Sequence, residues 1–288
     1  MTAKILSAAP VVEKIKNNLI QRCAALKANG ITPSMCVVLV GNNPASLSYV
    51  RNKKRMCEEI GAHFHLEHMA HDISPDDFLK RVQNLNQDPS THGIIIQLPV
   101  ADQLKHLNLP NLINPSKDID GFHGLNTQKL YSGSTDLSLL LPCTPKGIIN
   151  LLHFYGVDLK GKNIVVIGRS LIVGKPLSML LSNFDATVVL AHSKTKELKQ
   201  FTKEADIVVS AIGKAHYLDH SYFNPLKQTI VVDVGMNTLD GKLTGDVNQN
   251  SVKDIVGAMT PVPGGVGPMT VITLIENLIF ATEKQIKG

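Results

Sequence analysis

Tyr49 and Lys53 stand four residues apart within the segment from Pro44 to Ile60, a spacing that puts both side chains on one face of a helix. The stripe continues through Met56 or Cys57 to Ile60, whereas Arg51, Lys54 and Arg55 fall off it. Lys53 therefore lies in line with apolar residues. Two readings stay open: it snorkels past the core edge, or it enters a cleft where partial desolvation lowers its pKa and fits it for proton transfer. Gln97 sits at the C-terminal end of the run Gly93 to Ile96, the edge where open α/β sheets place ligands. There it binds a ligand edge, holds a lysine ammonium, or faces water in a turn. Asp118-Ile-Asp120-Gly121 is an acidic turn with a permissive glycine. Its carboxylates suit the N–H donors of a heterocycle, and equally a plain Asp-Gly turn.

A second group of residues suits a dinucleotide. Gly168-Arg-Ser-Leu-Ile-Val-Gly174 joins a β-rich run to a helical one. Glycines there let the backbone approach a diphosphate, and the next helix aims its N-terminal amides at it. Ser170 occupies the place of the middle glycine of the usual fingerprint, and the spacing to Gly174 is longer, so an ordinary strand-to-helix turn also fits. The run Thr187 to Ala191 ends in His192-Ser193-Lys194. An NAD-preferring fold places an acid there, roughly 20 residues past the glycines. With Ser193 as a phosphate donor and Arg169 and Lys194 as cations, the expectation is NADP over NAD. Pro261-Val-Pro-Gly-Gly-Val-Gly-Pro-Met-Thr270 is a loop of defined backbone whose amides suit a binding cleft.

The elements that position these residues alternate between helix and strand, which reads as α/β. Helices are expected at Val11 to Leu26, Pro44 to Ile60, from Ser74 as cap with Pro75 in the first turn, at Thr144 to Tyr155, Lys175 to Ser182 and Thr270 to Ile286. Strands are expected at Met35 to Val40, His63 to His68, Gly93 to Leu98, Asn163 to Gly168, Thr187 to Ala191, Asp206 to Ser210 and Thr229 to Asp233. Their nearly continuous β-branched runs indicate parallel strands covered on both faces. Asn108 to Ser138 is polar and rich in Asn, Gly and Pro, and reads as a functional loop or linker. The domain break is placed near Leu140.

At 288 residues and 43% hydrophobic, the chain is long and apolar enough for one large or two medium domains and not for disorder. No apolar run approaches the roughly 18 residues that cross a bilayer. The N-terminal residues show no secretory or transit pattern, so the expectation is a cytoplasmic protein without membrane contact. A net charge of +5 is mild and suits anionic small molecules as well as nucleic acid. Cys23, Cys36, Cys57 and Cys143 form no C-x-x-C pair, so no metal site is signalled and buried free thiols are expected.

The chain as a whole resembles the short bifunctional methylenetetrahydrofolate dehydrogenase/methenyltetrahydrofolate cyclohydrolases. The likeness rests on Tyr49-Val-Arg-Asn-Lys53, Gln97-Leu-Pro99, Lys117-Asp-Ile-Asp-Gly-Phe122, Leu141-Pro-Cys-Thr-Pro145, the Gly168 to Gly174 turn and the Pro261 to Thr270 motif, in order. It implies two α/β domains flanking a cleft, the second a Rossmann-like parallel sheet, with the C-terminal helix packing back on the first. The boundaries expected are 1–140 with 270–288 for folate, and 141–269 for NADP. It implies Lys53 as the cyclohydrolase lysine, Tyr49 positioning the folate, Gln97 tuning Lys53 and Asp120 binding the pterin. Gly267 and Pro268 would border the folate. Gly168, Arg169, Ser170 and Ser193 would bind NADP, with Met236 near the nicotinamide. A homodimer through the cofactor domain is implied, as is a product that feeds purine, methionine and histidine biosynthesis.

Two positions depart from the family pattern. Val100-Ala-Asp follows Gln-Leu-Pro where many relatives have a second proline, and Gly124 follows His123 in place of proline. Neither removes a residue with a chemical role. A monofunctional NADP dehydrogenase is disfavoured because Tyr49, Lys53 and Gln97 are all present. A nucleic-acid module is disfavoured because no helix interleaves aromatics with arginines. No P-loop of a fused ligase is present.

Overall fold

β-Branched and apolar runs fix the strands, and short capped helices return the chain between them. The computed structural model describes residues 2–287. Among these, in chain order, run β1 (Lys4–Ile5), α1 (Ala9–Ala28), β2 (Ser34–Val40), α2 (Pro44–Glu59), β3 (His63–Met69), α3 (Pro75–Gln87), β4 (Gly93–Ile96), α4 (Gly124–Tyr131), α5 (Cys143–Phe154) and β5 (Asn163–Ile167). There follow α6 (Gly174–Asn183), β6 (Thr187–Ala191), α7 (Leu198–Glu204), β7 (Ile207–Ser210), β8 (Ile230–Asp233), β9 (Asn237–Leu239), β10 (Lys242–Thr244), α8 (Gln249–Val252), β11 (Ala258–Met259) and α9 (Val266–Lys287). They divide into two compact α/β units.

The first unit holds Lys14–Lys129, Asp136–Cys143 and the chain from Val271 onward. Its parallel sheet has the order β3-β2-β4, with Val37 in register with Leu66 on one side and Ile95 on the other. Val38, Val40, Ile94 and Ile96 pack with Phe78, Val82 and Leu104 in one buried cluster. Each such side chain contributes about 1.5–3 kcal/mol of burial, enough to hold polar groups at the sheet edge. Asn43 caps α2, its Oδ1 accepting from Ala45 N at 3.0 Å and Ser46 N at 3.1 Å, with Pro44 in the first turn. Ser74 caps α3 by accepting from Asp77 N. The C-terminal part of α9 docks here: Arg22 meets Glu283 through two bonds at 2.9 and 2.7 Å, and Gln285 donates to the carbonyls of His92 and Ser116.

The second unit holds the chain up to Glu13, Leu130–Thr135 and Thr144–Thr270. Its six-stranded sheet is parallel throughout, in the order β1-β11-β8-β7-β5-β6. Val165, Ile167, Val208, Val231, Leu218 and Val252 lie in its buried core. β9 and β10 form a small antiparallel pair. Among the described residues, no helix is long and apolar enough to cross a membrane.

Two expectations need correction. Asn108 to Ser138 is not a bare loop: it contains α4, whose Asn126 donates to Pro115 O and to the Asp118 carboxylate. Tertiary bonds, not periodicity, hold that polar helix. α9 starts at Val266, four residues before the expected Thr270, because Gly267 and Pro268 are accommodated in a first turn whose amides need no helical partner. Thr270 is thus inside the helix, bonded back to Val266 O and sharing a 3.0 Å bond with Thr144 Oγ1.

Candidate active site

In the first unit, β2 leads into α2 and β4 ends beside it. Gln97 continues the ladder past β4, its N–H donating to Val38 O at 2.9 Å. Ser46 Oγ donates to Leu98 O, tying the start of α2 to the same segment. This brings Lys53 to Gln97, where Nζ donates to Oε1 at 2.8 Å. Gln97 Nε2 donates to Leu98 O at 2.8 Å. That second bond fixes the amide orientation, since only the nitrogen can face a carbonyl, and so the oxygen is left for the ammonium.

Asp120 reaches the same place. Its neighbour Asp118 does not serve as a free acceptor and follows the plain-turn alternative of the two left open for that motif. Asp118 accepts from Gly121 N at 3.0 Å, His123 N at 2.7 Å and Asn126 Nδ2 at 2.9 Å, and so spends itself on holding the loop. Burial pushes the Lys53 pKa below its ordinary value, while the Asp120 carboxylate and the Cys143 sulfur pull it back up. Burial pushes Asp120 above the usual carboxylate range; Lys53 opposes this, Asp118 adds to it, and a hydrogen bond from Cys143 opposes it. Desolvation thus favours the neutral form of each group, which eases proton movement on Nζ. Tyr49 lies one turn before Lys53 on α2 and is 40% exposed.

Two residues of this site escape a reading of spacing. Cys143 lies buried, its thiol 3.4 Å from Ile119 O. Asn277, fully buried on α9, donates from Nδ2 to Ile119 O at 2.8 Å and Leu141 O at 3.0 Å. It therefore fixes the backbone immediately before Asp120. Its signal in the sequence is a lone amide flanked by the apolar pairs Leu274-Ile275 and Leu278-Ile279.

The second unit carries the other residues. Gly168 has φ +115°, and a Cβ there would overlap the Ala211 carbonyl oxygen. A Cβ on Gly174 would overlap the Gly168 carbonyl oxygen. The long turn between them therefore packs its own backbone closely, which glycine at both ends permits. Ser170 Oγ accepts from Val173 N at 3.1 Å and Gly174 N at 3.4 Å, so its hydroxyl proton points elsewhere as a donor. Arg169, Ser193 and Lys194 are exposed. Gly168 and Ser193 follow the adjacent strands β5 and β6, and Met236, 50% exposed, follows β8. Gly267 and Pro268 open α9 in this unit, and a Cβ on Gly267 would lie 4.0 Å from Met236 Sδ. These groups fit a dinucleotide: a tight backbone turn bounded by two glycines, with hydroxyl donors and a guanidinium around it. Among the described residues, no cluster of His, Cys, Asp or Glu suits a metal ion.

Fold and site together define an α/β enzyme with a dinucleotide turn on one unit and a lysine centre on the other. Family models for the tetrahydrofolate dehydrogenase/cyclohydrolase catalytic domain and its NAD(P)-binding domain match residues 6–120 and 142–286. The chain belongs to the tetrahydrofolate dehydrogenase/cyclohydrolase family. It is 45% identical over 285 residues to the bifunctional protein FolD of Polaromonas sp. strain JS666, covering 99% of this chain and 100% of that one. It is 42% identical over 284 residues to FolD of Halalkalibacterium halodurans, with 99% and 100% covered. The crystal structure of the bifunctional enzyme FolD from Campylobacter jejuni superposes with a TM-score of 0.94 at 41% identity, covering 98% of this chain and 99% of that chain. The Trypanosoma brucei FolD, solved with NADP and an inhibitor, gives 0.93 at 28% identity with both chains fully covered.

Proposed function

We infer that this chain is a bifunctional one-carbon enzyme. It oxidises methylenetetrahydrofolate to methenyltetrahydrofolate with NADP, and hydrolyses the methenyl compound to formyltetrahydrofolate. The observation that carries this reading is Lys53 held by Gln97 beside Asp120, in a chain whose family joins both activities.

NADP supplies the hydride acceptor for the first step. Gly168 lets the backbone approach its diphosphate, and Arg169, Ser170 and Ser193 bind its phosphates. Arg169 and Lys194 favour a 2′-phosphate, and no acid follows β6 to bind a bare ribose. Met236, exposed after β8, would border the nicotinamide end. In the second step water adds to the cationic methenyl carbon and must lose a proton. Neutral Lys53 takes it without like-charge repulsion toward the cation, and returns it to the ring nitrogen as the carbon–nitrogen bond breaks; the remaining O–H proton of the adduct passes to solvent as the formyl C=O forms, the one net proton that hydrolysis of the cation releases. Gln97 keeps Nζ aimed through both transfers. Asp120 accepts N–H donors of the pterin, Tyr49 positions the folate, and Gly267 and Pro268 border it. The functional division is 1–140 with 270–288 for folate and 141–269 for NADP, although by packing the chain up to Glu13 and Leu130–Thr135 go with the NADP-binding unit.

The enzyme works as a cytoplasmic homodimer. Among the described residues no two cysteines form a disulfide, which supports a reducing compartment. β6 is an edge strand whose Val188, Val189 and Leu190 are only half-buried, which supports pairing with a second copy through the cofactor domain. Sedimentation equilibrium giving a monomer mass would contradict the dimer. The activities are tested by following methenyl absorbance with methylenetetrahydrofolate and NADP or NAD. NADP-dependent appearance followed by decay supports the reading; absence of either phase contradicts it.

A further inference from the structure

Asp246 is a fully buried carboxylate in the second unit, outside every residue given a role above. Five donors converge on it. Oδ2 accepts from Ser210 Oγ at 3.0 Å, Ile212 N at 2.7 Å and Gly213 N at 3.3 Å. Oδ1 accepts from Lys214 N at 2.8 Å and Asn237 Nδ2 at 3.0 Å. Three successive backbone amides of the loop after β7 thus close on one carboxylate, and Asn237 brings in the segment after β8. Asp246 is itself held: its N–H donates to Asp233 Oδ1 at 3.0 Å, and Asp233 also accepts from Gly235 N and Val247 N. The packing leaves no slack. A Cβ on Gly235 would overlap Asp246 Oδ1, and one on Gly245 would overlap Asp233 Oδ2.

Both segments that Asp246 gathers adjoin residues assigned to the dinucleotide. Ala211, directly before Ile212, puts its carbonyl oxygen where a side chain on Gly168 would be. Asn237 directly follows Met236. We propose that Asp246 is a positioning residue for NADP: by collecting the amides of Ile212, Gly213 and Lys214 with the Asn237 side chain, it sets the backbone that shapes the cofactor site at both the glycine turn and Met236. A carboxylate suits this task because it only accepts. An amide in its place turns a donor toward at least one of the same N–H groups, and an unsatisfied buried donor forces the loop to shift.

This inference rests on the dehydrogenase reading, so wild type is assayed first; absence of NADP-dependent oxidation there fails that reading and not this one. Asp246→Asn is then expected to raise the KM for NADP about tenfold, one or two lost buried bonds' worth. Hydrolysis of supplied methenyltetrahydrofolate, which needs no NADP, stays within about twofold of wild type. A purely structural role would instead lower both activities together. Asn237→Ala, which removes one Oδ1 donor, is expected to raise the NADP KM about threefold with hydrolysis unchanged, and it decides the matter if Asp246→Asn does not fold. An NADP KM unchanged in the variant that folds, or parallel loss of both activities, overturns the proposal.

Discussion

Lys53 Nζ and Gln97 Oε1 share a 2.8 Å hydrogen bond whose direction is set from outside the pair, because the other half of the Gln97 amide is committed to the Leu98 carbonyl. The amine therefore meets an acceptor that cannot turn away. Burial lowers its pKa and the acceptor steadies its charged form, so both protonation states stay within reach.

That arrangement predicts opposite effects from two substitutions at one position. Gln97→Leu removes the acceptor of the ammonium, so the acid limb of the cyclohydrolase pH profile moves to lower pH. Gln97→Glu places a negative charge there and moves the limb to higher pH. Loss of aim also lowers the Gln97→Leu rate, by about tenfold to a hundredfold. Profiles of methenyl hydrolysis check this; shifts of the same sign in both variants would contradict it.

Asn277→Leu removes the amide donor from the Ile119 and Leu141 carbonyls, leaving Ile119 O only the weaker Cys143 thiol. The expected cost is about 1–3 kcal/mol for each carbonyl left without a donor. Because Asp120 follows Ile119, hydrolysis is expected to slow about tenfold as the carboxylate drifts. NADP binding, on the other unit, should not change. Thermal melts, hydrolysis rates and NADP titration read the three outcomes separately.

Arg169→Ala tests the cofactor preference. Removing the guanidinium next to the glycine turn costs a charge-assisted bond to phosphate, so the ratio of kcat/KM for NADP over NAD should fall about tenfold. An unchanged ratio would place the 2′-phosphate elsewhere.

Asp233 gives a stability prediction with a definite sign. Burial pushes its pKa up to about 6, against the three N–H groups that it accepts. Between the ordinary carboxylate range and about pH 6, the folded chain binds a proton that the unfolded chain has lost. The contribution of Asp233 is therefore fully present below about pH 4 and lost as pH rises through about 6, on the order of 1–3 kcal/mol. Relative to Asp233→Asn, wild type should gain melting temperature at pH 4.5 compared with pH 7. A difference that does not vary with pH would contradict the assignment.

Much of the frame is legible in the residues because buried parallel strands are written as unbroken β-branched runs. Met35 to Val40, Gly93 to Ile96 and Asn163 to Ile167 all lie in strands. Lys53 stands out as a cation on an apolar stripe, and Gln97 by its place at a strand end. Other features are set by partners remote in the chain. β1 and β11 are two residues each, too short for any pattern, and exist by pairing into the sheet, β1 on β11 and β11 on β8. α4 is held by Asn126, whose partners lie earlier in the chain. Asp118 and Asp120 look alike in the sequence, yet one is consumed by its own loop and the other is left for the site. Asp246 reads as a single acid in a turn until residues 210–214 and 237 are seen around it.

The central claim is that Lys53 moves the proton in methenyl hydrolysis. Its most direct measurement is the decay of methenyltetrahydrofolate absorbance with Lys53→Met, alongside NADP titration to show that the cofactor unit is intact. Decay no faster than in buffer, with normal NADP binding, is the expected result. Decay near the wild-type rate would contradict it.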